Sequence, residues 1–526
     1  MRYVLVLLGT MCMVGCGAGV NQPMDAEREA ASYDAQSMTQ SCAPSDTDFS
    51  GEAYDRIVEN RFLTAAVNPL STFSIDVDTA SYSNVRRFLK QGQLPPAGAV
   101  RIEEMLNYFP YEYPPPSGDE PFSASIEMAG CPWNPAHTLA RIALKGREIN
   151  SAHRPVSNLV FLLDVSGSMA EPNKLPLVKS AIKMLVDNFG ENDRVAIVVY
   201  AGASGLVLPS TTGDQRDVIH DALERLNAGG GTNGGAGVEL AYNVAVENYI
   251  AGGVNRVILC TDGDFNIGTT NQSELVRLIE SKAKSGVYLS VLGFGMGNYQ
   301  DSTLEKLADR GNGNYGYIDT LNEARKVFVE QMTGTLITIA KDVKIQVDFN
   351  PARVAGYRLI GYENRMLQAE DFQDDAKDAG EIGAGHTVTA LYEIVTVGSD
   401  TPLPQVDPSK YQQPPNAAVA DEFEVLTLRL RYKDPDGTDS RELRFTLQHS
   451  DKSFAEASPD FQFAAAVAAF GMLLRDSEHR GTATLDAVLE IARSNLTWDP
   501  HGYRAEFVEL VERARELNAG NRPIEL

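Results

Sequence analysis

Histidine is scarce in this chain of 526 residues, seven in all, and no two stand at the spacing that aims a pair of imidazoles from one helix face at a metal. No Ser–His or Cys–His catalytic set can be assembled from so few. Cysteine is scarcer still, at five, too few for a disulfide-built scaffold. Positive charge is in deficit: 46 Lys and Arg against 71 Asp and Glu leave a formal net charge of −25. Such a surface repels a phosphate backbone, so nucleic acid is excluded as a partner. No Gly-Lys-Ser/Thr sequence is present, which removes the phosphate-cradling P-loop. The longest apolar run beyond the first residues, Phe463 to Leu474, is too short to span a bilayer.

What is present begins with a leader. Arg2 precedes the apolar run Tyr3 to Leu8, and the stretch continues to Cys16. Its length fits a secretory signal rather than a permanent membrane helix. Met-Val-Gly-Cys at 13–16 resembles a bacterial lipobox, with Met13 where Leu is usual. The resemblance implies that Cys16 is acylated and becomes the mature N-terminus. Gly17, where Asp would retain such a protein at the inner membrane, implies sorting to the outer membrane if there is one. The lipid is then the expected anchor in the cell envelope. Of the remaining cysteines, Cys260 sits in a buried strand pattern and reads as inert. Cys42 and Cys131 could pair in an oxidising envelope.

The length predicts several domains. Residues 16–50 are poor in apolar side chains and read as a tether. A first ordered region, 51–118, carries the strand-like Phe73-Ser-Ile-Asp-Val-Asp, a helix beginning over Asn84 to Leu89, and another over Arg101 to Phe109. Within 119–152, Phe122 to Met128 and Leu139 to Leu144 read as paired strands. From 153 to 342 strands and helices alternate, which predicts an α/β domain with a mainly parallel sheet. Its strands are expected at 159–163, 195–200, 205–208, 256–261, 287–293 and 315–318. Its helices are expected at 175–189, 214–227, 236–249, 273–285, 302–309 and 321–340. The segment 205–208 follows its predecessor too closely for a crossover helix, so it is expected as an antiparallel edge strand. Residues 343–455 turn to strands, with Asp434-Pro-Asp-Gly as hairpin chemistry and a Pro-rich loop at 402–415. Strands before and after the α/β unit suggest that it is inserted into one β-sandwich. Residues 456–526 carry helical periodicity and predict a helical cap.

The chemistry collects around one stretch. Leu159 to Leu163 is a run of five apolar residues that reads as a strand buried on both faces. It runs into Asp164, Ser166 and Ser168, three side-chain oxygens at alternate positions. Two other stretches are expected at the same edge of a parallel sheet, where ligands gather. One is the buried run Arg256 to Thr261, ending in Asp262-Gly-Asp264; the other is the Gly-rich loop 229–235, which offers Thr232. Asp164, Ser166, Ser168, Thr232 and Asp262 would supply five oxygens, two of them anionic. That set suits Mg²⁺ or Mn²⁺ better than a soft metal and leaves room for a further ligand. Read singly, the same residues are helix caps and turn formers.

Asp164-Val-Ser166-Gly-Ser168, Thr232 after its glycines, and Thr261-Asp262-Gly together resemble the metal-ion-dependent adhesion site of von Willebrand factor type A domains. The resemblance implies a six-stranded, mainly parallel sheet with one antiparallel edge strand. It also implies a bound Mg²⁺ or Mn²⁺ whose coordination is completed by an acidic residue of a partner protein. The regions on either side, including Pro69-Leu-Ser-Thr-Phe-Ser-Ile-Asp-Val-Asp-Thr-Ala-Ser-Tyr, resemble those flanking such domains in bacterial lipoproteins. The expectation is an envelope-anchored binding module rather than an enzyme. The alternatives are a hydrolase using the same cation, which would need a base or nucleophile nearby, and a scaffold in which the metal only staples loops.

Three lesser motifs are read as structural. Asp76-Val-Asp78-Thr79 has the letters of a phosphatase nucleophile pair but lacks the repeat that should follow, and is expected as a turn or cap. Gly229-x-Gly231-x-x-Gly234 follows a helix pattern, the wrong context for a dinucleotide loop. Asp434-Pro-Asp436-Gly437 has too few ligands for calcium.

Overall fold

A computed structural model describes residues 52, 54–149, 154–231, 234–263, 272–296, 299–331, 334, 336–377, 379–404, 423–435 and 437–520. The proposed leader and tether, with Cys16 and Cys42, lie outside them. So do Thr232, Asp264, residue 436 of the hairpin and most of the Pro-rich loop.

The chain opens with two short strands, β1 (Leu63–Thr64) and β2 (Leu70–Ser74), then helices α1 (Ala80–Lys90) and α2 (Ile102–Asn107). Helix α1 starts earlier than its periodicity suggests. Its first turn, Ala80-Ser-Tyr-Ser, reads as a loop by composition, yet all four residues are buried. Strands β3 (Phe122–Gly130) and β4 (Thr138–Gly146) follow as an antiparallel pair.

The α/β unit then runs β5 (Ser157–Asp164), α3 (Leu175–Val186), β6 (Arg194–Tyr200), β7 (Ser204–Thr212), α4 (Arg216–Glu224) and α5 (Gly234–Glu247). It continues with β8 (Val254–Thr261), α6 (Gln272–Ala283), β9 (Tyr288–Phe294), α7 (Asp301–Arg310), β10 (Tyr315–Ile318) and α8 (Leu321–Arg325). The sheet order is β10-β9-β8-β5-β6-β7, parallel except where β7 pairs antiparallel with β6. Every residue of β5 is buried, because one face packs on α3 and the other on α5. The strand order turns at β5, flanked by β8 and β6, which is where such sheets open a crevice.

The helix expected over 321–340 is a correction. Helix α8 passes into a π-helical turn at Lys326–Glu330, and by Thr338 the chain is already a strand. The stretch Leu336-Ile-Thr-Ile is apolar enough to extend a helical pattern, but its β-branched residues favour a pleated strand. The β-rich region therefore begins inside the expected 153–342 domain.

That region contains β11 (Thr338–Phe349), β12 (Val354–Ile360), β13 (Met366–Leu367), β14 (Ile382–Gly383), β15 (Thr387–Thr396), β16 (Glu424–Lys433) and β17 (Ser440–Gln448). They form two sheets, β1-β12-β15-β4-β3 and β13-β2-β11-β16-β17, with β14 paired to β11. Strand β15 pairs with β4 across the whole α/β insertion, Thr387 opposite Lys145 through Ile394 opposite Thr138. Both sheets contribute to one apolar core, in which Phe349 of β11 stacks on Tyr357 of β12 with centroids 3.9 Å apart.

Helices α9 (Pro459–Arg475), α10 (Leu485–Ser494) and α11 (Tyr503–Gly520) end the described chain. Ser458 and Thr484 cap the first two by accepting from Phe461 N–H and Ala487 N–H. Among the described residues no helix is long and apolar enough to cross a membrane. The run Phe463 to Leu474 instead lies in α9, which packs with α1, α2, α10 and α11 in one core. Residues 51–118 are thus shared out: β1 and β2 to the two sheets, α1 and α2 to the helical layer. Among the described residues Cys131 and Cys260 are free, buried thiols, and burial pushes both pKa values up; Cys42, considered from the sequence as a partner for Cys131, lies outside them.

Candidate metal site at the carboxyl edge of the central strands

Strands β5 and β8 are parallel neighbours in register, Leu163 opposite Cys260, so the residues that follow both leave the sheet at the same edge. Asp164 closes β5 with no exposed surface, and Asp262 follows β8 at 1% exposure. The local chemistry sets the turn. Asp164 Oδ1 accepts from Ser166 N–H at 2.8 Å, an Asx-type closure that bends the chain as it leaves the strand. A 3₁₀ turn at Gly167–Ala170 follows, pinned by Met169, which is buried in the core under α3. Ser166 and Ser168 consequently point their hydroxyls together, Oγ to Oγ 3.0 Å apart.

The glycine-rich loop docks on the same turn. Gly229 N–H donates to Val165 O at 2.8 Å, and Gly167 N–H donates to Gly230 O at 3.1 Å. Gly230 has φ +87°, a conformation that glycine adopts without strain. Thr232, two residues further on, lies outside the described residues. The structure therefore brings Asp164, Ser166, Ser168 and Asp262 to one edge and seats the loop that carries Thr232 against them.

Burial is the main cause that pushes the Asp164 carboxyl up to about 6, with a contribution from the negative Asp262 and opposition from its hydrogen bonds to Ser166. Tyr200, the neighbour of Asp164 on β6, is fully buried, and its phenol is held well above the ordinary value by burial and by that carboxylate. The second oxygen, Asp164 Oδ2, lies 3.4 Å from Thr261 Oγ1. Two carboxylates this dry are costly to hold as anions without a compensating cation.

One such cation belongs to the chain itself. Lys174 Nζ donates to Asp262 Oδ2 at 3.0 Å, with the lysine side chain 6% exposed. Reading the sequence for oxygen ligands passed over this residue. Its available signal was position, a lysine just before α3, where a helix start usually carries Ser, Thr, Asp or Asn.

The donor set fits a hard divalent cation. Two cis ligands of an octahedral Mg²⁺ at about 2.1 Å lie about 3.0 Å from one another, and the two serine hydroxyls, hydrogen-bonded to each other at 3.0 Å, already stand at that separation. Among the described residues no group of three or more His, Cys, Asp and Glu is placed to hold a metal ion.

The fold and this edge define the class: the α/β unit is a von Willebrand factor type A domain. Residues 158–331 match the family model of that description, and residues 48–141 match one described as von Willebrand factor. Such domains generally serve protein interaction or adhesion. Residues 334–517 match the model described as Uncharacterized protein YfbK, C-terminal. The chain belongs to the YfbK family: it is 44% identical over 469 residues to the Escherichia coli (strain K12) protein of that name, covering 88% of this chain and 80% of that one. Human inter-alpha-trypsin inhibitor heavy chain H4 is 28% identical over 232 residues, 42% of this chain but only 25% of its own length. Among solved structures, a von Willebrand factor type A protein from Catenulispora acidiphila aligns with TM-score 0.41 and 17% identity, covering 74% of this chain and 89% of that one.

Proposed function

We propose that this chain is an envelope-anchored binding protein whose von Willebrand factor type A domain presents Mg²⁺ or Mn²⁺ to an acidic residue of a partner protein. The observation that carries the reading is the meeting of Asp164, Ser166, Ser168 and Asp262 at the ends of two adjacent strands, with the serine hydroxyls 3.0 Å apart. Thr232 completes the proposed set from the loop seated on Gly167. Asp164 and Asp262 supply the negative charge and the hydroxyls supply neutral oxygens. A bound cation would add a positive centre on which a partner's carboxylate can close. The anchor is assigned to a lipid on Cys16, on the strength of the lipobox-like 13–16 and the run before it.

The test is capture from envelope extracts by the lipid-free chain in Mg²⁺, in EDTA, and with Asp164→Ala. Partner capture present in Mg²⁺ and lost in both other arms supports the reading. Capture that survives chelation or the substitution contradicts it.

A further inference from the structure

We infer that Lys174 is a resident cation of this edge, which a divalent ion must compete with for Asp262 and which therefore sets how readily the site is loaded. The inference rests on the metal reading proposed above and deepens it.

Lys174 occupies an awkward place. It stands at the N-cap of α3, where unsatisfied backbone N–H groups and the helix dipole already concentrate positive charge. A surface lysine there would be mildly unfavourable; this one is also buried. Burying an ammonium against a carboxylate seldom adds net stability, because desolvation offsets the attraction. Stability alone is a poor account of its position.

The surroundings are shaped to admit it. Gly295, just after β9, has φ +76°, and a Cβ there would fall 2.3 to 2.8 Å from three methylene carbons of Lys174. Gly295 is itself tied down, since its carbonyl accepts from the Tyr317 hydroxyl. The lysine stem thus lies against Gly295, in space that any side chain at 295 would contest, and its ammonium meets Asp262.

The charge balance gives the consequence. Asp164 and Asp262 carry two negative charges when ionised, and Lys174 cancels one of them. A divalent ion arriving at the hydroxyls and Asp164 then finds Asp262 already engaged. It must displace Nζ from Oδ2 or accept a weaker carboxylate beside a like charge. Either way Lys174 lowers divalent affinity. In return it leaves the loaded edge with one net positive charge, which favours an acidic ligand.

The experiment measures Mn²⁺ binding by calorimetry to the full chain and to Lys174→Met, Lys174→Gln and Asp164→Ala, with circular dichroism to verify folding. Both lysine variants are expected to bind Mn²⁺ on the order of tenfold tighter than the wild type, as removal of a nearby like charge should give. Using two variants guards against one failing to fold. If wild-type binding is lost in Asp164→Ala but neither lysine variant binds more tightly, the inference is overturned and the metal site stands. If wild-type binding persists in Asp164→Ala, the metal reading fails and the inference with it. A merely structural lysine would change the melting temperature and leave Mn²⁺ affinity where it was.

Discussion

Arg86 on α1 donates to the Glu323 carboxylate on α8 at 2.8 Å, both side chains almost wholly buried although 237 residues separate them. The same guanidinium meets Asp319 and, at 2.9 Å, Glu506 of α11 and the Tyr108 hydroxyl. One arginine thereby ties the end of the α/β unit to the helices on both sides of it. Replacing it with methionine leaves three buried or half-buried carboxylates without their common cation. Arg86→Met is expected to lower stability by about 3–5 kcal/mol, read by denaturant unfolding. A loss under about 1 kcal/mol would mean that the network contributes little.

Glu103 on α2 predicts a stabilising substitution. It is 1% exposed, and its Oε2 finds no hydrogen-bond partner among the described residues. Burial, then the nearby Glu363, push its carboxyl up from 4.5 to about 7. Between these values the unfolded chain releases a proton that the folded chain retains, so stability falls as pH rises from about 4.5 to about 7. Glu103→Gln removes this dependence. It is expected to exceed the wild type by about 1–3 kcal/mol at pH 8, with the difference vanishing near pH 4.5. Equal stabilities at pH 8 would show that the fold does not raise the Glu103 carboxyl above its ordinary value.

Gly295→Ala tests the packing of Lys174 against this glycine. The added methyl meets the lysine stem, and φ +76° strains any residue with a Cβ. A cost of about 1–3 kcal/mol is expected in thermal unfolding. In Gly295→Ala/Lys174→Ala the steric part should be relieved and the backbone part retained. Strict additivity of the two substitutions would mean that the side chains do not share this space.

Much of the α/β unit was legible because its chemistry is local. Five apolar residues ending in Asp164 read as a doubly buried strand and are one, and the short gap before Ser204 gave β7 away as an antiparallel edge. The alternating strands on either side were also readable. That they pair across the α/β unit could be expected from the order of elements, but the register, Thr387 opposite Lys145, joins residues far apart in the chain and is not encoded by periodicity. The helix over 321–340 failed where β-branched residues carried an apolar pattern from one element type into another.

Buried charge was less legible than apolar burial. No local pattern marks Arg86, Arg101, Glu103 or Glu104 as interior, yet all four are buried; Arg86 and Arg101 meet carboxylates from distant parts of the chain, Asp319 and Asp301 among them. Asp76 and Asp78, expected as a turn or cap, do form a local closure: Asp76 Oδ1 accepts from Asp78 N–H at 2.9 Å. They also face Arg365 at 3.1 and 3.3 Å, and Asp78 accepts from Tyr315 N–H at 2.9 Å. At the metal edge, the oxygens could be read from their spacing. Lys174 could not, since its meaning depends on the fold bringing α3 to the end of β8.

The proposed metal site would hold a divalent cation through Asp164, Ser166, Ser168 and Asp262, with Thr232 as the fifth oxygen. Electron paramagnetic resonance titration of the full chain with Mn²⁺, with Mg²⁺ as competitor, tests it most directly. One Mn²⁺ site per chain is predicted, displaced by Mg²⁺ and abolished by Asp164→Ala and by Thr232→Ala in chains that remain folded. Mn²⁺ bound with the same stoichiometry and affinity to Asp164→Ala would contradict the account.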